Sequence, residues 1–487
     1  MITTRRPGRR AAGLALALAL GLAVAGCDRG TGADSARGAA GPAPTAAGGG
    51  AATTTTTTTT GGTGSGSRCP LAPLPAPPAG RPLYRMRITL QPEQRLVSGD
   101  LTVRFMPDRA TDRVVFRLWP NSPYLARAGG HLQAGPVDTA GRPLTTASPD
   151  PTILEVRPGG TLAAGQPIEL HLPWRLTLPT LVGERLGALA GTLRLGSFFP
   201  ILSWEPGVGW ATDPPTSGLA EASTSPTSDF DVTVTAPPGL VVLASGVERG
   251  RGRWVAGAVR DFALSAGQFR TASAVAHAPG PVRVTVGVDA SVQEERPAEY
   301  LSAATRALED YGRRFAPYPW PSLTLAVTPS LPGGIEYPTH IMQGPRTADE
   351  ITPHEVGHMW FYSLVGNDQA RDPWLDEGLA TYAQARADGV TDRYQRLTVP
   401  SQVRGRLGEP MTFWDAQSSS LYFTGVYAQG AKALLALGGP GVADCVLRVY
   451  VAREAYGIAR PADLVEAAGT VVPDAPRILA GFGVPRR

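Results

Sequence analysis

The sequence predicts a multidomain α+β fold, an antiparallel β-sandwich followed by a mainly helical domain. Between Tyr84 and Thr271, apolar and polar residues alternate in short runs broken by Gly and Pro. That period-two texture belongs to strands buried on one face. From about residue 280 the texture changes to longer segments with helical spacing. Ahead of both lies a stretch with almost nothing to bury.

Taken in order, the chain opens with a targeting segment over residues 1–26. Arg5, Arg6, Arg9 and Arg10 form a basic start, and residues 11–25 form an apolar run. The run is too short to read as a membrane span. Val24-Ala25-Gly26-Cys27 resembles the lipobox of bacterial lipoproteins, which implies cleavage before Cys27 and lipidation of its thiol. An ordinary secretory signal with a chance cysteine is the alternative. Both the general and the twin-arginine export routes stay open. The expected location is the outer face of the cytoplasmic membrane, with a lipid anchor as the membrane contact.

The formal net charge is +4, and residues 1–26 carry those four arginines and no Asp or Glu. The remainder is near neutral, so nothing points to nucleic acid as a partner. Residues 27–80 are mostly Gly, Ala, Ser, Thr and Pro, with an unbroken run from Thr53 to Thr60. Such a composition cannot offset the entropy of ordering, and it reads as a disordered tether.

Residues 81–275 form the β domain. Leu101–Phe105, Ile168–Leu172 and Phe230–Val234 show the alternation most clearly. His131, His171 and His277 have no neighbours at metal-ligand spacing and read as ordinary loop or strand residues. Residues 276–487 form the second domain. Val282–Val288 and Leu323–Val327 read as strands, and Ala298–Phe315 as an amphipathic helix. Leu375–Ala387 reads as a helix behind a polar loop, Gly366–Pro373. The chain beyond is mostly helical, with Val446–Glu454 amphipathic.

The chemistry sits at His354-Glu355-Val356-Gly357-His358, followed after eighteen residues by Glu377 in Trp374-Leu375-Asp376-Glu377-Gly378. Histidines four apart share one helix face. Two imidazoles and a later carboxylate make three ligands of a zinc site with an open fourth position. Glu355, beside the first histidine, is placed to act as general base on a water there. Met359, Trp360, Phe361, Leu364 and Val365 follow at once, so the helix is buried. Buried polar groups need partners, and a metal is the simplest one.

This pattern resembles the gluzincin metallopeptidases, and among them the membrane alanyl aminopeptidase and leukotriene hydrolase family. The resemblance implies a saddle-like β domain before a thermolysin-like catalytic domain. It implies one Zn2+ per chain, bound by His354, His358 and Glu377, with Glu355 as base. Gly333-Gly334-Ile335-Glu336-Tyr337-Pro338 is similar to the family's edge-strand segment, whose Glu binds the substrate's free amino group. Gly333, Gly334 and Glu336 are then the substrate-binding positions. Here Ile335 stands for the usual Met and Tyr337 for the usual Asn. Tyr427 matches the tyrosine that donates to the developing oxyanion, with Gln429 where Lys is usual. A further β-domain carboxylate often helps bind the amine, and Glu221 lies in that region.

The expected function is therefore a zinc aminopeptidase acting on peptides. Two alternatives remain: a zinc peptidase that does not require a free amino terminus, and a non-catalytic lipoprotein that binds peptides or a partner. With Cys27 lipidated, Cys69 and Cys445 are left, and an exported protein is expected to join them in a disulfide; two free thiols are the alternative. Oligomeric state is not legible.

Overall fold

The alternating runs do form strands, and their burial follows the alternation. In Ile168–Thr177 every other side chain is buried, and Ser228–Thr235 repeats the pattern. The computed structural model describes residues 69–181, 183–217 and 224–485. The expected signal segment, Cys27, residues 28–68 of the tether and Glu221 lie outside the described residues.

Among the described residues, the largest sheet has nine strands. At its centre Leu83–Gln91, Leu96–Phe105 and Ile168–Thr177 run antiparallel, with Leu83 opposite Arg104 and Leu101 opposite Leu172. One joint departs from the antiparallel expectation, since Leu83–Gln91 pairs in parallel with Ser228–Thr235. Two four-stranded sheets pack beside it. The core between them is aromatic: Tyr84 stacks on Phe230 at 4.5 Å, and Phe198 and Phe199 meet edge to face at 5.2 Å. Such contacts add to the area they bury.

His171 is not the partnerless residue its sequence neighbourhood implies. Cross-strand register carries it between two carboxylates, with Nδ1 3.0 Å from Asp138 and Nε2 3.1 Å from Asp100. Both partners are far away in sequence, on other strands, so spacing along the chain could not reveal them. Hydrogen bonds to Asp138 and then Asp100 raise the imidazole's pKa.

A five-stranded sheet follows in the order Phe269–His277, Pro281–Asp289, Ser322–Val327, His340–Gln343 and Gly334–Tyr337. Phe269–His277 pairs along its length with Pro281–Asp289, so it belongs with this second sheet. A domain change near residue 275 would fall inside that strand. The helix Pro297–Arg314 lies against the sheet through Tyr300, Ala304, Ala307, Leu308 and Tyr311. Proline at its first turn and arginines at its last suit the backbone and dipole there. Tyr311 meets Trp360 edge-on at 5.8 Å, which fixes the metal-motif segment against this helix.

The metal-motif helix is shorter than its apolar continuation implies. It spans Thr352–Gly357, and His358 caps it. Beyond it the chain turns in wide loops, with the amides of Ser363, Leu364 and Val365 each bonding the carbonyl five residues back. Everything from Ile351 to Ala370 is buried. The helix Trp374–Ala387 follows, and Gln429–Leu435, Pro440–Glu454 and Pro461–Val471 complete the helical part. A single hydrophobic cluster runs from Tyr84 in the β part to Val484 in the last turns.

Candidate active site

Three short-range contacts assemble the metal motif. The amide of His358 bonds the carbonyl of His354, which keeps the two imidazoles on one face. Gly357 lets this helix close on the next one, with any side chain at 357 meeting the Cα of Ala380 at 3.3 Å. Glu377, on the first turn of that next helix, then faces both histidines.

The ligand atoms form a tight triangle. His354 Nε2 lies 3.1 Å from His358 Nε2 and 3.1 Å from Glu377 Oε2. His358 Nε2 lies 3.3 Å from the same Glu377 oxygen. A tetrahedral ion with bonds of about 2.0–2.1 Å separates its ligand atoms by about 3.3–3.4 Å. The triangle therefore fits zinc. Tautomer agrees: His358 Nδ1 lies 3.1 Å from the carbonyl of Phe361, to which it donates. That leaves the Nε2 lone pair aimed at the triangle.

Electrostatics point the same way. Burial would lower His358, but the carboxylates of Glu336, Glu377 and Glu355 hold its pKa well above the ordinary imidazole range. Burial lowers His354, with Glu377 opposing. Burial would raise Glu377, yet the two histidines outweigh it and push that carboxyl far down. The field of this cluster favours a cation.

Glu355 is 4 % exposed, and its Oε2 has no hydrogen-bond partner. Burial, offset in part by His358, raises its pKa well above the ordinary range. Its ligand-type oxygen, one from Glu336 and a nitrogen of His358 all lie within 4.8 Å of one another. A buried carboxylate with a free oxygen beside a metal triangle has the geometry of a base aimed at a bound water.

Glu336 reaches the site from the sheet edge. Among the described residues, Gly334–Tyr337 is the terminal strand of its sheet and pairs with His340–Gln343. Gly334 sits directly over Glu355, and a side chain there would collide with that carboxyl. Gly333 anchors the strand's entry through its carbonyl, 2.8 Å from the amide of Gly344. Alternation sends Glu336 toward the motif and Tyr337 away from it. Tyr337 is fully buried among Ala263, Leu331, Ile335 and Met342, with its hydroxyl 3.2 Å from Ser197. The replacement of Asn by Tyr337 therefore changes the packing beneath the strand, not the groups that face the metal triangle.

Tyr427 lies against the first histidine. Its ring stacks on His354 at 5.7 Å and 12°. Burial, and after it the Glu377 carboxylate, holds the pKa of its hydroxyl well above the ordinary phenol range. It lies in a π-helical turn, Phe423–Ala428, which widens the backbone at the residue that must reach inward. Gln429 does not enter the site. It is buried, donating to the carbonyls of Val403 and Gly425 and accepting from the amide of Gly405 at 3.0 Å, which braces the wide turn.

Sequence reasoning missed several residues. Gly378 and Gly430 face each other where the Glu377 helix crosses Gln429–Leu435; a side chain at 430 would come within 2.6 Å of the Gly378 Cα. Their helical positions were the available signal. Gln369 lies in the loop read as merely polar, yet it is buried and bonds both Glu336 and Asp376. Burial and the neighbouring Glu377 push Asp376 up to about 8. Away from the site, Cys69 and Cys445 are both disulfide-bonded.

No protein-family model matches the chain. Over 119 residues it is 33% identical to leukotriene A-4 hydrolase of Xenopus laevis, a match covering 23% of this chain and 19% of that protein. Over 119 residues it is 32% identical to aminopeptidase B of Mus musculus, covering 23% of this chain and 18% of that one. The chain thus spans about a fifth of the length of these curated relatives. The M1 zinc metallopeptidase of Deinococcus radiodurans superposes with a TM-score of 0.61 at 20% identity, over 84% of this chain and 96% of that one. A mutant of the Deinococcus enzyme bound to a Tyr-Ser-Ala substrate superposes with a TM-score of 0.60 at 20% identity, over 85% and 97%. A β-rich domain leading into a helical one, matched over nearly the whole of a solved chain, gives this protein the two-domain fold of the M1 zinc metallopeptidases.

Proposed function

We propose that this chain is a zinc-dependent aminopeptidase that removes residues from the amino termini of peptides. The observation that carries the reading is the joint placement of the His354, His358 and Glu377 triangle, the unpartnered Glu355 oxygen and Glu336. A structural metal site has no use for the last two. Zinc held by the triangle supplies Lewis-acid polarisation of a carbonyl and a hydroxide near neutral pH.

The chain's own residues do the remaining work. Glu336 pairs with the substrate ammonium and so fixes which peptide carbonyl is presented. Glu355 takes the proton of the attacking water. Its unpartnered Oε2 can hold that proton and pass it to the leaving amine. Tyr427 donates its hydroxyl hydrogen to the carbonyl oxygen as negative charge collects there.

The proposed setting is the outer face of the cytoplasmic membrane, with lipidated Cys27 as anchor. It is supported by the basic start, the apolar run and the lipobox-like Val24–Cys27. Among the described residues no single helix is long and apolar enough to cross a membrane.

Hydrolysis of matched peptides with free and acetylated amino termini tests the reading, with a chelator and Glu355→Gln as controls. Stepwise trimming of free termini alone, lost in both controls while the variant still binds zinc, is the expected result. Equal cleavage of acetylated peptides would remove the aminopeptidase specificity. No cleavage of either would remove the enzyme.

A further inference from the structure

Glu336 poses a problem that its distance from the metal triangle makes plain. Its carboxylate, that of Glu355 and a ring nitrogen of His358 lie within 4.8 Å of one another. A carboxylate on an edge strand, that close to a cation site, is drawn toward the cation. If it moved there it would close the open coordination position and abandon the substrate amine. Something must hold it back without neutralising it.

Gln369 is the group in place to do so. Its amide nitrogen lies 3.0 Å from Glu336 Oε1 and 2.8 Å from Asp376 Oδ2. A primary amide nitrogen carries two hydrogens, so one nitrogen serves both carboxylates. Asp376 is the neighbour of Glu377 on the helix that supplies the third ligand, and it is 1 % exposed. Gln369 itself is 7 % exposed and sits in a buried loop. One neutral side chain thus ties the edge strand to the ligand helix. It also occupies one oxygen of Glu336 and leaves the other for the substrate.

We propose that Gln369 is a positioning residue that holds Glu336 in register with the metal-ligating helix, so that recognition of a free amino terminus depends on it. The proposal rests on the aminopeptidase reading above. Its chemistry is specific to an amide. A methionine matches the length and volume and offers no donor. A glutamate would place a third charge between two carboxylates.

Binding to a chain that does not turn over separates positioning from catalysis. In the zinc-loaded full chain carrying Glu355→Gln, calorimetry measures Ala-Ala-Phe with a free and with an acetylated amino terminus. Adding Gln369→Met is expected to weaken the free peptide about tenfold, the scale of one charge-assisted hydrogen bond. The acetylated peptide and the zinc content stay unchanged. Equal weakening of both peptides, an unmoved preference, or loss of zinc overturns the proposal. If the parent chain shows no preference for the free terminus, the aminopeptidase reading falls and takes this one with it. Should Gln369→Met not fold, Gln369→Asn, which keeps the polarity and loses the reach, must show the same selective loss.

Discussion

Tyr427 shows what a single side chain contributes here. It is placed by a π-helical turn and stacks on the His354 imidazole of the candidate metal triangle. Replacing it by Phe keeps the stack and removes only the donor. We expect Tyr427→Phe to lower kcat by about 10²–10³ with KM and zinc content nearly unchanged, the usual effect of losing one oxyanion donor. Steady-state kinetics with metal analysis checks this, and a kcat within about threefold of the parent would assign the hydroxyl a packing role. The two histidines of the triangle were legible in the sequence because their chemistry demands a fixed spacing along one helix, and Glu377 followed from its Trp-Leu-Asp-Glu-Gly context. Gln369 was not legible. Its function comes from two contacts made across the fold, to Glu336 and Asp376, and a glutamine in a loop looks the same whether buried or solvated.

Whole elements were legible to within a residue or two where periodicity was strong. The helix expected over Ala298–Phe315 spans Pro297–Arg314, and the one expected over Leu375–Ala387 spans Trp374–Ala387. The early end of the metal-motif helix was not legible, because its apolar continuation is buried on every side and such a segment has no periodicity to read. Sheet register was hidden for a related reason, since cross-strand partners are remote in sequence. His171 gives this a measurable form. Its raised pKa means that its pairing with Asp138 and Asp100 stabilises the folded chain fully below the unfolded imidazole value. That stability is lost as pH rises through the raised folded value. His171→Asn should therefore lower the urea midpoint at about pH 5.5 and leave it unchanged at about pH 9. The side chain is 39% exposed, so the effect is small, and a pH-independent loss would mean that shape, not charge, matters at this position.

At the scale of the whole molecule, ion pairs join the β part to the helical part at Glu205, a carboxylate 4 % exposed on the strand Trp204–Glu205. Arg460, at the start of the helix Pro461–Val471, bonds it through Nε at 3.2 Å. Arg371, in the loop before the Glu377 helix, lies 3.7 Å from its other oxygen. Arg371 also bonds Asp213 at 2.7 Å. The β part is thereby tied to the segment that positions the third metal ligand. Glu205→Gln should destabilise the chain by about 1–3 kcal/mol. Arg453→Ala, which breaks only the exposed pair with Glu466, should cost under about 1 kcal/mol. Denaturant unfolding of both variants checks the contrast, and equal costs would demote Glu205 to a surface pair.

The crossing of Gly378 and Gly430 has a mechanical result. With no side chains between them, the helix bearing Glu377 and the helix following Tyr427 meet backbone to backbone. Metal ligand and phenol are set in one fixed jaw. Glu336 reaches the site from Gly334–Tyr337, a strand with a single neighbour among the described residues. Under the aminopeptidase function proposed above, bulkier residues at a peptide's amino terminus would be accommodated on the side of that strand. Substitutions that broaden the range of accepted peptides should accordingly arise on the strand and its loop, and be rejected at the glycine pair.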